Sequence, residues 1–340
     1  MAVTQADVAA LAGVSRKTVS NVVNGYPHVS RDLVRRVQAA VRELGYVPNH
    51  AARSLRTGRT RTMQLVVPEL DVPYFAELAR DVVRAAESAG MSVLIRQTFG
   101  DLERELRAIE GEYGDHTDGT ILSPVAVDLD AITGRRSQAP VVLVGELHGG
   151  PTIPHVGIDN EQAAFVATSH LVTQGRTRIG LIGAQTGSSS HMASMRRAGW
   201  ERALAQAGLP AREELVRYTA GYHRHDGAHA MRDLLLAARQ DIDGVFCATD
   251  LLALGAIRAA RDAGVDIPGD VAVVGFDNID DGRFSVPRLT TIAPDKAAIA
   301  QRAVGTLLDM LEAIEEERTF ERADADEVVP FELVVRESSG

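Results

Sequence analysis

Arginine, lysine and asparagine lie at helical spacing in the segment SRKTVSNVVNG near the amino terminus. Arg and Lys side chains donate to guanine O6 and N7, and an Asn amide pairs with adenine through two hydrogen bonds. Arg16, Lys17 and, one turn later, Asn21 are therefore candidate base contacts. The alternative is an ordinary solvated first turn, but cations at a helix N-terminus oppose the helix dipole, which favours contact with DNA. Hydroxyls that suit phosphate contacts are those of Thr18 and Ser20.

A short helix is predicted before this segment, with capping-box spacing between Thr4 and Asp7 and an end at Gly13. Its apolar stripe consists of Val8, Ala9 and Leu11. Ser15 is the predicted N-cap of the second helix, and Asn24-Gly25 suits its end because glycine readily takes positive φ.

A third helix is predicted from an N-cap at Ser30 to Gly45. The inward-facing side chains of the second and third helices are Val19, Val22, Val23, Val34, Val37, Val41 and Leu44. Two short helices that meet at a glycine turn, with a third to complete a small core, are typical of a helix-turn-helix domain.

Charge is unevenly distributed along the chain. The first 62 residues hold ten basic and three acidic side chains, a formal charge of +7, so a whole-chain charge of −10 leaves −17 on the remainder. A basic head on an acidic body indicates a polyanionic partner for the head alone. The alternative is a solvated arginine-rich tail, but the helix caps and glycine helix ends in this segment argue against it.

The stretches VTQADVAALAGVSRKTVSNVVNG and HVSRDLVRRVQAAVRELGYVPNHAARSLRTGRT resemble the DNA-binding head and hinge of the lactose/galactose repressor (LacI/GalR) family. The resemblance continues along nearly the whole chain. It implies an all-α helix-turn-helix headpiece and hinge, followed by an α/β, two-lobed effector domain like a periplasmic binding protein, with parallel sheets. The expected boundaries are 1–47 for the headpiece, 48–61 for the hinge helix and linker, and 62–340 for the effector-binding and dimerisation domain.

The function that the resemblance implies is sequence-specific transcriptional regulation, as a repressor. Such a protein binds a pseudo-palindromic operator as a homodimer and is switched by a small-molecule effector, here expected to be a sugar or sugar derivative. The alternative from a different class is a two-lobed sugar-binding receptor without a DNA role. The helix-turn-helix pattern and the absence of an apolar leader at the amino terminus favour the regulator.

The hinge is predicted to be a helix of about two turns over HAARSLR, begun by Pro48 and Asn49 and ended by Gly58. Isolated helices this short are marginal in water, so we expect the hinge to fold on DNA. The resemblance implies that Leu55 wedges into the minor groove; the alternative is a core leucine of the headpiece. The full set of candidate DNA contacts is Thr4, Ser15, Arg16, Lys17, Thr18, Ser20, Asn21, Asn24, His28, Asn49, Arg53, Ser54, Leu55 and Arg56.

Short apolar runs alternate with helical stretches beyond residue 62. The expected strands are MQLVVP, MSVLIRQ, TDGTILSP, APVVLVG, RIGLIGA, DGVFCATD and VAVVGFDN. The expected helices among them include YFAELARDVVRAAESAG, EQAAFVATSHLVTQG and DLLALGAIRAARDAG. Strand and helix in turn predict parallel sheets covered on both faces, and this many units exceed one small sheet.

Ligands of open α/β sheets bind beyond the carboxyl ends of the strands, so polar residues that follow the apolar runs are candidate effector contacts. The resemblance adds Arg196 and Tyr222. The complete set is Tyr74, Phe75, Ser123, Ser190, Arg196, Tyr222, Thr249 and Asp277. Asp250 is expected to be the N-cap of its helix instead. Asp277 has a structural alternative as the cap of the turn DNIDDG.

Other chemistries have weaker support. His225 and His229 have i, i+4 spacing, but Gly227 between them is a poor helix former and no third ligand is evident, so contact with the effector or solvent is favoured over a metal. Ser190 and His191 are neighbours without a GxSxG elbow, so no enzyme is expected. We expect no cofactor, no metal and no membrane partner.

The single cysteine, Cys247, excludes an internal disulfide and is expected to be a small core residue. The absence of an apolar leader and of any membrane-length apolar run predicts a cytoplasmic protein. The chain ends at FELVVRESSG without leucine heptads, so no carboxy-terminal coiled coil is expected.

Overall fold

The computed structural model describes residues 3–23, 26–46, 59–112, 117–128, 131–132, 134, 139–145, 153–186, 191–238, 242–318, 320 and 326–340. These residues belong to two compact units, Met1–Thr60 and Arg61–Gly340. The predicted hinge helix and its residues Asn49, Arg53, Ser54, Leu55 and Arg56 lie outside the described residues, as do Asn24 and Ser190.

The described residues of the first unit form three helices, α1 (Gln5–Ala12), α2 (Arg16–Val23) and α3 (Arg31–Leu44). The predicted caps are present: Ser30 accepts a hydrogen bond from Leu33 N, and Gly13 and Gly45 end their helices in the left-handed region. Leu11, predicted to face inward, is 46% exposed, and Ala12 takes the inward position instead. The core of this unit consists of Val8, Ala9, Ala12, Val19, Val37, Ala40 and Tyr46.

The part of the second unit that the structure describes contains two six-stranded sheets. The strands of the first sheet are all parallel and lie in the order β11-β5-β4-β3-β1-β2. They are β1 (Thr62–Val67), β2 (Ser92–Gln97), β3 (Gly119–Leu122), β4 (Val141–Val144), β5 (His155–Gly157) and β11 (Asp326–Val328).

The second sheet has the order β12-β10-β9-β8-β6-β7, and only β12 runs antiparallel to its neighbour. Its strands are β6 (Ile179–Ala184), β7 (Val216–Tyr218), β8 (Gly244–Cys247), β9 (Ala272–Phe276), β10 (Thr290–Pro294) and β12 (Phe331–Val334). All seven predicted strands are present, and Cys247 is buried in β8 as expected.

Helices cover both faces of each sheet, as parallel strands require. They are α4 (Pro73–Ser88), α5 (Leu102–Ile109), α6 (Asn160–Thr173), α7 (His191–Gln206), α8 (Arg224–Ala238), α9 (Asp250–Asp262), α10 (Asp281–Phe284) and α11 (Lys296–Glu315). We call the first sheet with its covering helices the first lobe, and the second sheet with its helices the second lobe. The helix α11 follows a strand of the second lobe but packs on α4 and on β3, β4 and β5 of the first.

The crossing of α8 and α9 depends on two glycines that lie inside helices. A Cβ on Gly255 would lie 1.9 Å from the carbonyl oxygen of Arg224, and one on Gly227 would lie 2.1 Å from that of Leu252. Glycine is a poor helix former, yet Gly227 lies within α8. It is required there because the two helix backbones approach too closely to leave room for a side chain. Nowhere in the described part of the chain does a helix have the length and apolarity that crossing a membrane requires.

Candidate DNA-binding helix and effector site

The helix α2 begins at a side-chain cap. The hydroxyl of Ser15 accepts a hydrogen bond from Thr18 N at 3.0 Å, and its oxygen lies 2.9 Å from the Thr18 hydroxyl. The predicted N-cap is therefore confirmed. Both hydroxyls lie at the amino-terminal end of the helix, where backbone N–H groups and hydroxyls suit a phosphate.

The candidate base contacts share one face of α2. A helix advances 100° per residue, so Arg16, Lys17, Ser20 and Asn21 fall within one side and the valines fall on the other. Arg16 and Lys17 are exposed, and Asn21 is half-buried. The valine side packs on the core through the buried Val19. The helix therefore presents cationic and amide groups outward while its apolar side fixes its orientation.

Thr4 is engaged in the predicted capping box of α1. Its hydroxyl donates to Asp7 Oδ2 at 2.7 Å, and its backbone N–H donates to the same oxygen at 2.8 Å. These hydrogen bonds lower the pKa of the Asp7 carboxyl below its usual value. Thr4 thus helps to hold the first turn in place, whatever it contacts on DNA.

Arg36 has a structural role that the charge count did not reveal. Its Nη2 donates to Ala12 O at 2.7 Å and to Gly13 O at 3.2 Å, at the C-terminal end of α1. A cation there complements the helix dipole and satisfies open carbonyls. This arginine therefore fixes the turn between α1 and α2.

Tyr26, which sequence reasoning did not select, is exposed and forms an edge-to-face contact with the candidate residue His28 at 5.6 Å.

The candidate effector residues of the second lobe converge at the carboxyl ends of its strands. Arg196, on α7, donates from Nε to Asn160 Oδ1 at 3.0 Å and from Nη1 to Ala248 O. Its guanidinium lies 3.5 Å from the centre of the Phe276 ring. Only 3% of Arg196 is exposed, so α6, β8 and β9 together fix its position. Asp277 directly follows Phe276, and Thr249 directly follows Ala248.

Asp277 has an unusual backbone conformation, with φ of 118°. Its N–H donates to Ile292 O at 2.9 Å, and its carbonyl accepts from Lys296 Nζ. Non-glycine residues at positive φ are uncommon outside Asn and Asp, and they persist where surrounding contacts determine them. The segment 277–280 is therefore held at the carboxyl end of β9 by contacts from other elements.

Asp250 was expected to be the N-cap of its helix, and this prediction is wrong. Thr249 is the N-cap, accepting from Leu252 N at 3.3 Å. Asp250 is fully buried and accepts hydrogen bonds from Ile279 N at 2.9 Å and from the Thr291 hydroxyl at 2.5 Å. Burial raises the pKa of the Asp250 carboxyl well above its usual range, and the nearby charge of Asp277 adds to the rise. Asp250 anchors the segment that carries Asp277.

The first-lobe candidates lie after β1 and β3. Tyr74 and Phe75 are half-buried in the first turn of α4 and contact each other edge to face at 5.3 Å. Ser123 is buried directly after β3.

Glu105, which sequence reasoning missed, orders the chain just beyond Ser123. It is buried on α5, and its carboxylate accepts from the backbone N–H groups of Val125, Ala126 and Val127. Burial raises the pKa of this carboxyl despite those hydrogen bonds.

The histidine group of α8 lies at its amino-terminal end, where Tyr222 is half-buried and packs against the second-lobe core. The rings of His223 and His225 stack at 5.5 Å, and His223 Nε2 lies 3.3 Å from Glu69 Oε2, which belongs to the segment after β1. Within the described ranges, no three His, Cys, Asp or Glu side chains are placed to hold a metal ion.

Comparison with known proteins identifies both units. Residues 4–49 match the family described as "Bacterial regulatory proteins, lacI family", and residues 168–339 match the "Periplasmic binding protein-like domain". The HTH-type transcriptional repressor CytR of Escherichia coli strain K12 is 33% identical over 312 residues, which cover 92% of this chain and 90% of the repressor. The chain belongs to the LacI family. It is a transcriptional regulator with a DNA-binding helix-turn-helix and a two-lobed effector-binding domain, as the sequence predicted.

Solved structures of LacI-family proteins are similar over the full length. The lac repressor dimer bound to operator and the anti-inducer ONPF has a TM-score of 0.83 and 25% identity, covering 100% of this chain and 99% of that one. The complex of the transcriptional regulator CelR with cellobiose has a TM-score of 0.71 and 32% identity, covering 99% of both chains. Relatives of this LacI-family chain are regulators of transcription.

Proposed function

We propose that this LacI-family protein is a repressor that binds a pseudo-palindromic operator as a homodimer in the cytoplasm and is switched by a small polyhydroxylated effector. The observation that carries the proposal is the capped helix α2, which presents Arg16, Lys17 and Asn21 on one outward face. A single headpiece covers one half-site, so selectivity among genomic sites requires two heads. Residues 1–47 form the headpiece, 48–61 the hinge and 62–340 the effector-binding and dimerisation domain. The protein acts by binding, without a catalytic role.

A sugar or sugar derivative is the proposed class of effector. Arg196, Asp277 and Thr249 lie together at the carboxyl ends of the second-lobe strands. They offer a cation, a carboxylate and a hydroxyl, which together suit several ligand hydroxyls. The first lobe contributes Tyr74, Phe75 and Ser123 at the ends of its own strands, and Tyr222 comes from the second lobe. The similar CelR structure holds cellobiose, which supports this class.

Homodimerisation is supported by apolar side chains left exposed on the second lobe. Phe284 is 79% exposed and Val286 is 69% exposed. Val286 also lines a groove of about 450 Å³ with Leu254 and Ile257. Exposed large apolar side chains beside charged ones, here the groove residues Arg258, Arg261 and Asp262, are the composition of an interaction surface. A second copy of the chain, whose own patch is related by two-fold symmetry, fits the requirement for two heads.

Replacing Phe284 by Asp is expected to weaken the dimer at least about tenfold, because a charge would have to be buried where an aromatic side chain packed. Analytical ultracentrifugation over a concentration series measures the dissociation constant. Leu236→Asp is the matched control, since Leu236 is also exposed but lies on α8 and does not line the groove. Equal dissociation constants for wild type and Phe284→Asp would refute this interface.

Removing either recognition cation is expected to relax base preference at one or two positions in each half-site, at about 1–3 kcal/mol for a bidentate contact. Arg16→Ala and Lys17→Ala are the variants, and selection from a random DNA library followed by titration of each selected base is the measurement. Arg35→Ala is the control, because Arg35 is exposed on α3 and paired with Asp32. Unchanged discrimination in both recognition variants would exclude α2 as the reading helix.

The effector is to be identified by a thermal-shift screen of the full chain against sugars and nucleosides, because a specific ligand stabilises the folded state by mass action. Operator titration with and without each hit then measures the switch. A protein that binds a sugar but no selected DNA sequence would contradict the repressor proposal and favour the receptor alternative.

A further inference from the structure

The ammonium group of Lys296 lies where a cation is not expected, buried in the first turn of a helix. Lys296 is the first residue of α11, where a cation opposes the helix dipole, and only 9% of the residue is exposed. A buried ammonium requires compensating partners. It has them in Asp277 O, in Asn278 O at 3.3 Å and in Glu77 Oε2 at 2.9 Å. Lys296 Nζ also lies 5.6 Å from the centre of the Tyr74 ring.

Glu77 engages the same segment through its other oxygen. Its Oε1 accepts from Asp280 N at 3.1 Å, while Oε2 pairs with Lys296. Lys296 therefore binds carbonyls at the start of the segment 277–280, and Glu77 binds an N–H at its end. The two side chains and the segment form one closed set of hydrogen bonds, which we call the clasp.

The clasp connects the two lobes. Glu77 and Tyr74 belong to α4, which packs on the first sheet, whereas the segment 277–280 continues β9 of the second sheet. Both charges are largely buried, with side-chain exposures of 17% for Glu77 and 10% for Lys296. Removal of one partner leaves the other charge buried and uncompensated, so the pair is expected to be energetically coupled.

We propose that Glu77 and Lys296 are positioning residues that tie Asp277 to α4, so that the placement of this effector carboxylate depends on the arrangement of both lobes. The proposal rests on the proposed function, because Asp277 is an effector contact only there. An effector bound at Asp277 then acts on α4 through the clasp, and movement of α4 acts back on effector affinity, as linkage requires.

Hydrogen exchange of the full-length protein without ligand tests the clasp. In Glu77→Gln and in Lys296→Met, amides of 277–284 and of 74–80 are expected to exchange at least about fivefold faster, because each loses a charged partner. The double variant is expected to exchange no faster than either single variant. Lys296→Arg keeps the charge and is expected to restore slow exchange. Arg302→Met is the control, since Arg302 lies on α11 in an exposed pair with Glu327.

A purely local role for Lys296 would change the exchange of 277–284 but not that of 74–80, and this result would overturn the proposal. Unchanged exchange in both single variants, or multiplied effects in the double variant, would also overturn it. If Lys296→Met fails to fold, Glu77→Gln still tests the proposal, because glutamine has the same side-chain size as glutamate. Faster exchange in both segments is then the expected result. This experiment needs neither DNA nor effector, so a wild type whose operator affinity ignores every small molecule contradicts the proposed function separately.

Discussion

Replacing Gly255 by alanine is expected to lower the free energy of unfolding by about 3 kcal/mol or more, because the new Cβ has no space. It would lie 1.9 Å from Arg224 O and 2.9 Å from Ala228 N, both of them backbone atoms of α8. Flexible side chains can move away from an added methyl group, whereas helix backbone cannot without separating α8 from α9. Those two helices cover one face of the second sheet over the core that contains Met231, Leu234 and Leu252.

Urea unfolding of the full chain measures this effect. Trp200 is the single tryptophan and is fully buried on α7, in the core cluster that contains Phe246 and Phe276, so its fluorescence reports unfolding of the lobe as a whole rather than of the α8–α9 face alone. Gly305→Ala is the control: Gly305 lies within α11, and the position that a Cβ would take there is open space, with no neighbouring element within 4 Å. That variant is expected to gain about 0.5–1 kcal/mol from helix propensity. Equal midpoints for Gly255→Ala and wild type would show that α8 and α9 do not need their close approach.

Asp277→Asn is expected to weaken effector binding by about 10- to 150-fold while operator affinity without effector stays the same. A hydrogen bond to a charged acceptor contributes about 1.5–3 kcal/mol, and the amide turns one acceptor oxygen into a donor. Asparagine tolerates the positive φ of this position as well as aspartate does, so the backbone contacts to Ile292 and Lys296 should be kept.

Titration calorimetry with the effector found by thermal shift measures this change. Asp280→Asn is the control. The Asp280 carboxylate is exposed and makes only a long ion pair of 4.0 Å with Arg283, whereas its backbone N–H, which donates to Glu77, is unchanged by the substitution. Unchanged effector affinity in Asp277→Asn would assign Asp277 to the turn DNIDDG alone. The two variants together separate ligand chemistry from loop structure.

The headpiece could be predicted almost completely, because its signals are local. Ser15, Ser30, Gly13 and Gly45 cap helices through residues three or four positions away, which a sequence displays directly. The error at Leu11 is one of phase: in a helix of eight residues, Leu11 and Ala12 are both apolar, and only packing against α3 selects between them.

The strands divide according to length and apolar content. The seven predicted strands are mostly central and rich in Val, Ile and Leu, whereas β5, β7 and β11 are only three residues long and contain polar or charged side chains. Strands β2, β7, β11 and β12 lie at sheet edges, where one flank is unpaired and the hydrophobic requirement is weaker, and of these four only β2, with its Val-Leu-Ile run, was predicted. Strands β5 and β10 were not predicted although they are internal and buried, because β5 has only three residues and β10 contains two threonines and a proline.

The polar interactions of the site could not be predicted, because they join residues far apart in the chain. Thr249 and Asp250 are adjacent and both suit an N-cap; only the partners Ile279 and Thr291 distinguish them. The pair of Glu77 with Lys296 spans more than two hundred residues and leaves no local pattern. Strand-end reasoning selected residues that the fold brings to the carboxyl ends of the strands, but the contacts that each of them makes depend on the tertiary fold.

The path of the chain between the sheets has a consequence for synthesis on the ribosome. The chain leaves the first sheet after β5, returns through α11 and β11, and then goes back to the second sheet for β12. Domains generally fold as their residues emerge, amino-terminal parts first. Here the first sheet has to wait for α11 and for its edge strand Asp326–Val328, so both lobes reach their final pairing only when nearly all of these 340 residues have left the exit tunnel. The core of the headpiece that the structure describes, by contrast, lies within the first 46 residues, so this part is free to fold while the rest is still being made.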